Sequence, residues 1–120
     1  MEINQIADQI QKKIKEIEVL RTQIRNYAKD KADAISRYDK EMAKITIRLK
    51  NGEALALDDK RIENPPATII ERIAKGYCYA EKFDMELAEA NYKGVITAIH
   101  ALESELNGYQ SIFRYLDTEA

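Results

Sequence analysis

The sequence predicts an all-α fold: a long antiparallel two-helix hairpin of coiled-coil type, with a short loop or small β-ribbon at the bend, assembling into an oligomeric helical bundle. Three observations carry that expectation. Ile3, Ile10, Ile17 and Ile24 recur every seven residues in the N-terminal half. A central interruption holds Asn51-Gly52 and Pro65-Pro66. From Phe83 to Tyr115, two uncharged stripes run in steps of three and four on opposite sides of one long helix.

The first helix is expected over about residues 4–48. Ile6 and Leu20 fill the alternate positions of its seven-residue repeat, and Lys13 occupies a seam position. The stem of that lysine can lie in the groove while its ammonium reaches water. After Ile24 the stripe slips and resumes at Ile35, Tyr38, Met42, Ile45 and Leu49. Eleven residues separate Ile24 from Ile35, a heptad plus four, which is a stutter that relaxes supercoiling. The skip holds Tyr27, Ala28 and Ala32, so thinner packing is expected there.

A connector is expected over about residues 49–65. Asn51-Gly52 favours a type I′ hairpin between Thr46–Lys50 and Ala54–Leu57. Helix through Lys50, closed by Gly52 as a C-terminal cap, is the favoured alternative. Asp58, Asp59, Lys60 and Arg61 then read as a polar connector.

The second helix is expected over about residues 66–116, as one rod interrupted only by Gly76, Gly94 and Gly108. Proline suits a first helical turn, because its missing N–H would be orphaned there anyway. Thr68-Ile69-Ile70-Glu71 matches a capping box, which places the start between Asn64 and Thr68. Along this helix the first stripe is Met85, Ala88, Tyr92, Val95, Ile99, Leu102, Leu106, Tyr109, Phe113 and Leu116. The second is Phe83, Leu87, Ala90, Gly94, Thr97, Ala101, Ser104, Gly108, Ser111 and Tyr115. An offset of two residues is about 200° around a helix, so the stripes face apart. Large residues pack against a partner helix, whereas Ala, Gly, Ser and Thr let a second backbone come close. Leu87, Ala90, Gly94, Thr97, Ala101, Ser104 and Gly108 are therefore the expected oligomer interface.

Composition supports a single helical domain spanning residues 1–120. Charged residues make up 33% and hydrophobic residues 45%, with four Gly, two Pro and no Trp. The net charge of −2, with acids and bases interleaved, sets up no field for DNA or an acidic membrane. A lone Cys suits a reducing compartment, and Met1-Glu2-Ile3-Asn4 shows neither a basic start nor an apolar stretch of the export type. No apolar run is long enough to span a bilayer. A cytoplasmic location and no membrane are the expectations.

The search for chemistry points away from catalysis. Four glycines lie too far apart to form a phosphate loop. His100 has Glu103 one turn later but no second His, so no metal and no cofactor are expected. Cys78, in Tyr77-Cys78-Tyr79, has no activating base nearby in sequence and reads as a packing residue. Pairs such as Glu86/Glu89 and Glu103/Glu105 sit on a helix without a pocket to shift their pKa values. Tyr92 and Tyr109 read as seam residues. Tyr79, with Lys60, Arg61, Arg72, Lys75 and Lys82, forms a candidate anion- or ligand-binding group, weighed against a plain solvated face.

The segments Pro65-Pro66-Ala67-Thr68, Ala74-Lys75-Gly76, Ala88-Glu89-Ala90-Asn91-Tyr92-Lys93 and Gln110-Ser111-Ile112-Phe113-Arg114-Tyr115 carry a resemblance. With the long N-terminal helix and short central interruption, the chain resembles the small uncharacterised helical accessory proteins of temperate phages and prophages of Gram-positive bacteria. The resemblance implies a phage accessory protein in the host cytoplasm and carries over no site residues. It suggests a non-enzymatic binding module that neutralises a host protein or a small signalling ligand of host defence. The alternatives are an accessory to phage recombination or replication that touches nucleic acid, and a structural or assembly protein of the virion.

Overall fold

The computed structural model of the protein describes residues 2–119. In chain order the elements are α1 (Ile3–Lys50), β1 (Leu55–Leu57), β2 (Lys60–Ile62), a 3-10 turn (Ala67–Ile69), α2 (Ile70–Tyr77) and α3 (Tyr79–Glu119). The chain is mostly helical, with two long helices that pack and one small two-stranded sheet. Among the described residues no helix is long and apolar enough to cross a membrane.

Backbone contacts divide the chain into two compact units. One combines the residues up to Ala28 with those from Ala90 onwards; the other is Lys29–Glu89. In the first, α1 and α3 pack antiparallel. Lys13 Nζ lies 2.7 Å from Glu105 Oε2, and Arg21 Nη2 lies 2.9 Å from Glu103 Oε1, so the numbering falls on α3 as it rises on α1. Ile6, Ile17 and Ile99 are buried, and Ile3, Ile10, Ile24, Leu102 and Leu106 are half-buried. The seven-residue repeat is therefore the inward row, as its spacing predicts. The Lys13 ammonium also pairs with Glu105, and that hydrogen bond above all raises its pKa above the ordinary lysine value.

The second unit is organised around Ile45, Leu49, Leu55, Ile70, Ala74 and Cys78, with Tyr38, Met42 and Ile73 packed against them. Here α1 supplies the row Ala34, Tyr38, Met42, Ile45 and Leu49. The stutter is closed by Ala34, which is buried, while Ala32 is exposed.

The end of α1 follows the favoured expectation. Arg48 and Lys50 stand in its last turn, where the helix dipole favours cations. Glu53 N donates to Arg48 O at 3.0 Å and Gly52 N to Leu49 O at 3.1 Å, the hydrogen-bond pair of a Schellman cap. Gly52 has a φ of 80°, and a Cβ there would meet Asn64 Oδ1 at 2.9 Å. Replacing Gly52 by Ala is therefore expected to destabilise the protein by about 1–2 kcal/mol, read as a lower urea midpoint. An unchanged midpoint would contradict the cap.

The ribbon exists, but not across Asn51-Gly52. It pairs Leu55 with Ile62, Ala56 with Arg61 and Leu57 with Lys60 in antiparallel register. Asp58 and Asp59 make the turn, with Asp58 at a φ of 53°. The expected polar connector Asp58–Arg61 is thus a turn followed by a strand. Asp tolerates the left-handed region because its side chain bonds locally, which lets this dipeptide stand where Asn-Gly was expected. Leu55 enters the core, which gives the ribbon an apolar anchor.

Two expectations for the second helix need correction. The Thr68 capping box does not form: Ile69 holds the N-cap position without a side-chain hydrogen bond, and Ile69 N donates to Pro66 O at 3.0 Å. The 3-10 turn satisfies that donor first, and the helix starts at Ile70, its first core residue. The rod is also broken at Cys78 (φ −90°, ψ 28°), while Gly76, Gly94 and Gly108 all lie inside helices. Cys78 N still donates to Ala74 O, and Cys78 O accepts from Lys82 N, both at 3.0 Å. The break is a one-residue kink with its hydrogen bonds kept.

Candidate interaction surface

Two uncharged rows run along helix α3, separated by charged residues such as Asp84, Glu86 and Arg114. Every member of the first stripe, from Met85 to Leu116, is buried or half-buried. Every member of the second, from Phe83 to Tyr115, is exposed. Leu87, Ala90, Gly94, Thr97, Ala101, Ser104 and Gly108 therefore form one row that is exposed among the described residues. A Cβ built on Gly94 or Gly108 would meet no atom within 4 Å. Each glycine costs a helix interior about 1 kcal/mol relative to Ala, and no contact within the chain accounts for that cost.

The ends of the row are bulky. Phe83 and Tyr115 are each 64% exposed, and Leu87 is 49% exposed. Isolated exposed apolar residues are ordinary on a protein surface. Tyr79 and Ile112 are exposed on the same helix. Ile112 belongs to neither stripe, and Val19 on α1 likewise stands exposed beside a buried repeat. Spacing alone places such residues at the seam margin and gives no sign that they face outward. Val19 lines an apolar groove of about 420 Å³ with Lys15, Glu16, Leu20 and Leu102.

The candidate ligand group draws its residues from three elements. Lys60 and Arg61 lie on β2, Arg72 and Lys75 on α2, and Tyr79 and Lys82 on the first turn of α3, all of them exposed. Arg72 and Lys75 share a hollow of about 290 Å³ with Thr68 and Glu71. Glu71 Oε1 lies 3.2 Å from Lys75 Nζ, and Glu63 Oε1 lies 2.7 Å from Arg61 Nε. A carboxylate beside each of these cations lowers what it offers an incoming anion.

Among the described residues, no group of three or more His, Cys, Asp or Glu side chains is placed to hold a metal ion. Tyr92 and Tyr109 are half-buried on the packed stripe, and His100 is exposed. Cys78 is buried, and burial above all, with the charges of Glu81 and Glu41, pushes its thiol pKa up. That environment disfavours the thiolate. Iodoacetamide is therefore expected to label Cys78 only as fast as the fold opens, with labelling rising in step with denaturant. Prompt labelling of the native protein would contradict this burial.

Compared with models of protein families, with curated proteins and with solved structures, the chain finds no match in any of the three.

Proposed function

We propose that this protein is a non-enzymatic helical binding module that self-associates through the outward face of α3. One observation carries the reading: the row from Phe83 to Tyr115 is uncharged, continuous and exposed over its whole length. A water-facing helix surface normally bears charged residues, as α1 does at Lys12, Lys15, Arg25, Lys29 and Asp30. Small side chains at the centre of the row suit a second helix at close range.

On the resemblance to phage and prophage accessory proteins, the assembled module binds a host protein or a small signalling ligand and so blunts a defence response. The two pairings of carboxylate with cation near the candidate ligand group weigh against an extended phosphate-binding surface, and hence against the nucleic-acid alternative. Light scattering coupled to gel filtration tests the self-association at micromolar concentration. A molar mass of two or more chains is expected, and a single-chain mass across the concentration range would overturn the reading.

A further inference from the structure

In the first compact unit, the two flanks of the buried repeat of α1 differ. Ala7, Ile14 and Arg21 run along one side of it, and Gln9, Glu16 and Gln23 along the other. Coiled-coil flanks ordinarily bear charged residues, so Ala7 and Ile14 depart from the pattern on one side only. On that side the structure has two hollows between α1 and α3. The larger, about 360 Å³, lies between Ala7, Ile10 and Phe113, and the smaller, about 130 Å³, between Ile14, Ile17 and Leu106. Ile10 and Ile17 are seven residues apart, which is about 10 Å along the helix. We infer that this groove is the docking site for one amphipathic helix of a partner protein. That helix carries a bulky apolar residue and, seven residues away, a smaller one, with a carboxylate beside the first and a cation beside the second. The inference deepens the reading of the protein as a binding module and is independent of its self-association.

The spacing of the hollows is that of a helix. Side chains at i and i+7 stand on one face two turns apart, so one helix lying along the groove fills both. An apolar helix face set into such a groove is a common mode of recognition, and it completes a three-helix packing. Unequal hollows fix the order of the anchors: a Phe-sized side chain suits the larger and a Leu-sized one the smaller. The charges fix the ends. Arg114 lines the larger hollow and Glu18 the smaller, and both are exposed. Arg21 and Glu103, which also line the smaller hollow, pair with each other at 2.9 Å. That leaves Arg114 at one end and Glu18 at the other to meet the charges of the partner. Because α1 and α3 run antiparallel here, their dipoles largely cancel, and these two end charges decide how the partner helix lies.

Designed peptides test the site on the full chain. Two Ala-rich peptides of about 20 residues, long enough to hold a helix, carry Phe and Leu seven residues apart. Each has Glu one turn outside Phe and Lys one turn outside Leu, and the two differ in chain direction. Fluorescence anisotropy of the labelled peptides is expected to show one of them saturating at micromolar protein. Arg114→Glu, at an exposed position, is expected to weaken that peptide about fivefold to tenfold, and exchanging the peptide's Glu for Lys to restore it. Ala7→Phe, which fills the larger hollow, is expected to weaken it tenfold or more with the far-UV circular dichroism unchanged. Amide shifts in the labelled protein should centre on Ile10, Ile14 and Phe113. The inference is overturned if neither peptide saturates at millimolar protein, if Arg114→Glu leaves the affinity unchanged, or if the shifts fall on the Phe83–Tyr115 row instead. A single-chain mass by light scattering would remove the self-association and leave this site standing.

Discussion

Shortening Leu49 to alanine is expected to destabilise the protein by about 2–5 kcal/mol, the range for a buried leucine whose cavity only partly collapses. Leu49 is 2% exposed and sits in the cluster that joins α1, the ribbon and α2, with Leu55, Ile70 and Ala74 as its companions. None of these elements has an independent route to stability. The ribbon has three residues per strand, and α2 has eight residues, too few to persist alone in water. Thermal unfolding should therefore show a fall of the order of 10–20 °C for Leu49→Ala. Ile47 provides the control, since it is 58% exposed two residues away and its replacement by Ala should stay within about 0.5 kcal/mol of the parent. Equal losses at the two positions would contradict the assignment of the inward face.

The second large effect is expected from Gly94→Arg combined with Ala101→Arg. In a single chain these changes are benign: both positions are exposed, and arginine is a better helix former than glycine by nearly 1 kcal/mol. In an assembled form they force long charged side chains into a contact lined by Ala, Gly and Ser. Overpacking costs about 1–3 kcal/mol per site, and a dimer carries four such sites, so association should weaken on the order of a thousandfold or more. Light scattering should then report a single chain while far-UV circular dichroism keeps its helical amplitude. The two states pull in opposite directions, which makes the experiment sharp. A variant that keeps the parent's molar mass would show that this face is not the one that assembles.

The rods and their faces were legible in the sequence because periodicity is a direct image of packing. Ile6, Ile17 and Ile99 are inward because a step of three or four residues leaves no other place for them. The Asn51-Gly52 cap was legible for the same kind of reason, since a left-handed residue after a helix favours glycine. Short elements carry much less signal. Leu55–Leu57 and Lys60–Ile62 form a three-rung ladder, and strands of three residues are too short for alternation to distinguish them from a loop. The capping motif at Thr68 was present in the letters but was overridden by the turn that Pro66 and Ile69 close, a tertiary choice that brings Ile70 into the core. The kink at Cys78 has no glycine or proline at its centre and could not be read in advance.

The candidate interaction surface was half legible. Its residues were readable as a small-residue row, but their exposure was not, because the sequence cannot say whether a long helix finds one neighbour or two within its own chain. Lys75 and Arg61 were read as members of the candidate ligand group, and Glu71 and Glu63 stand beside them. Such partners lie four and two residues away in sequence, and only the folded backbone decides whether those side chains meet.

No polar or charged side chain is buried among the described residues, and none of their buried polar atoms lacks a hydrogen-bond partner. Where an interior contains an asparagine or a serine, its bonding needs forbid sliding by a turn. Here the interior is wholly oily, so alignment depends on the sizes of isoleucine, alanine and leucine knobs and on the pairing of Lys13 with Glu105 and Arg21 with Glu103 at the margin. Such an interior tolerates many exchanges of one aliphatic residue for another, which leaves the outer surface free to diversify without renegotiating the scaffold beneath it.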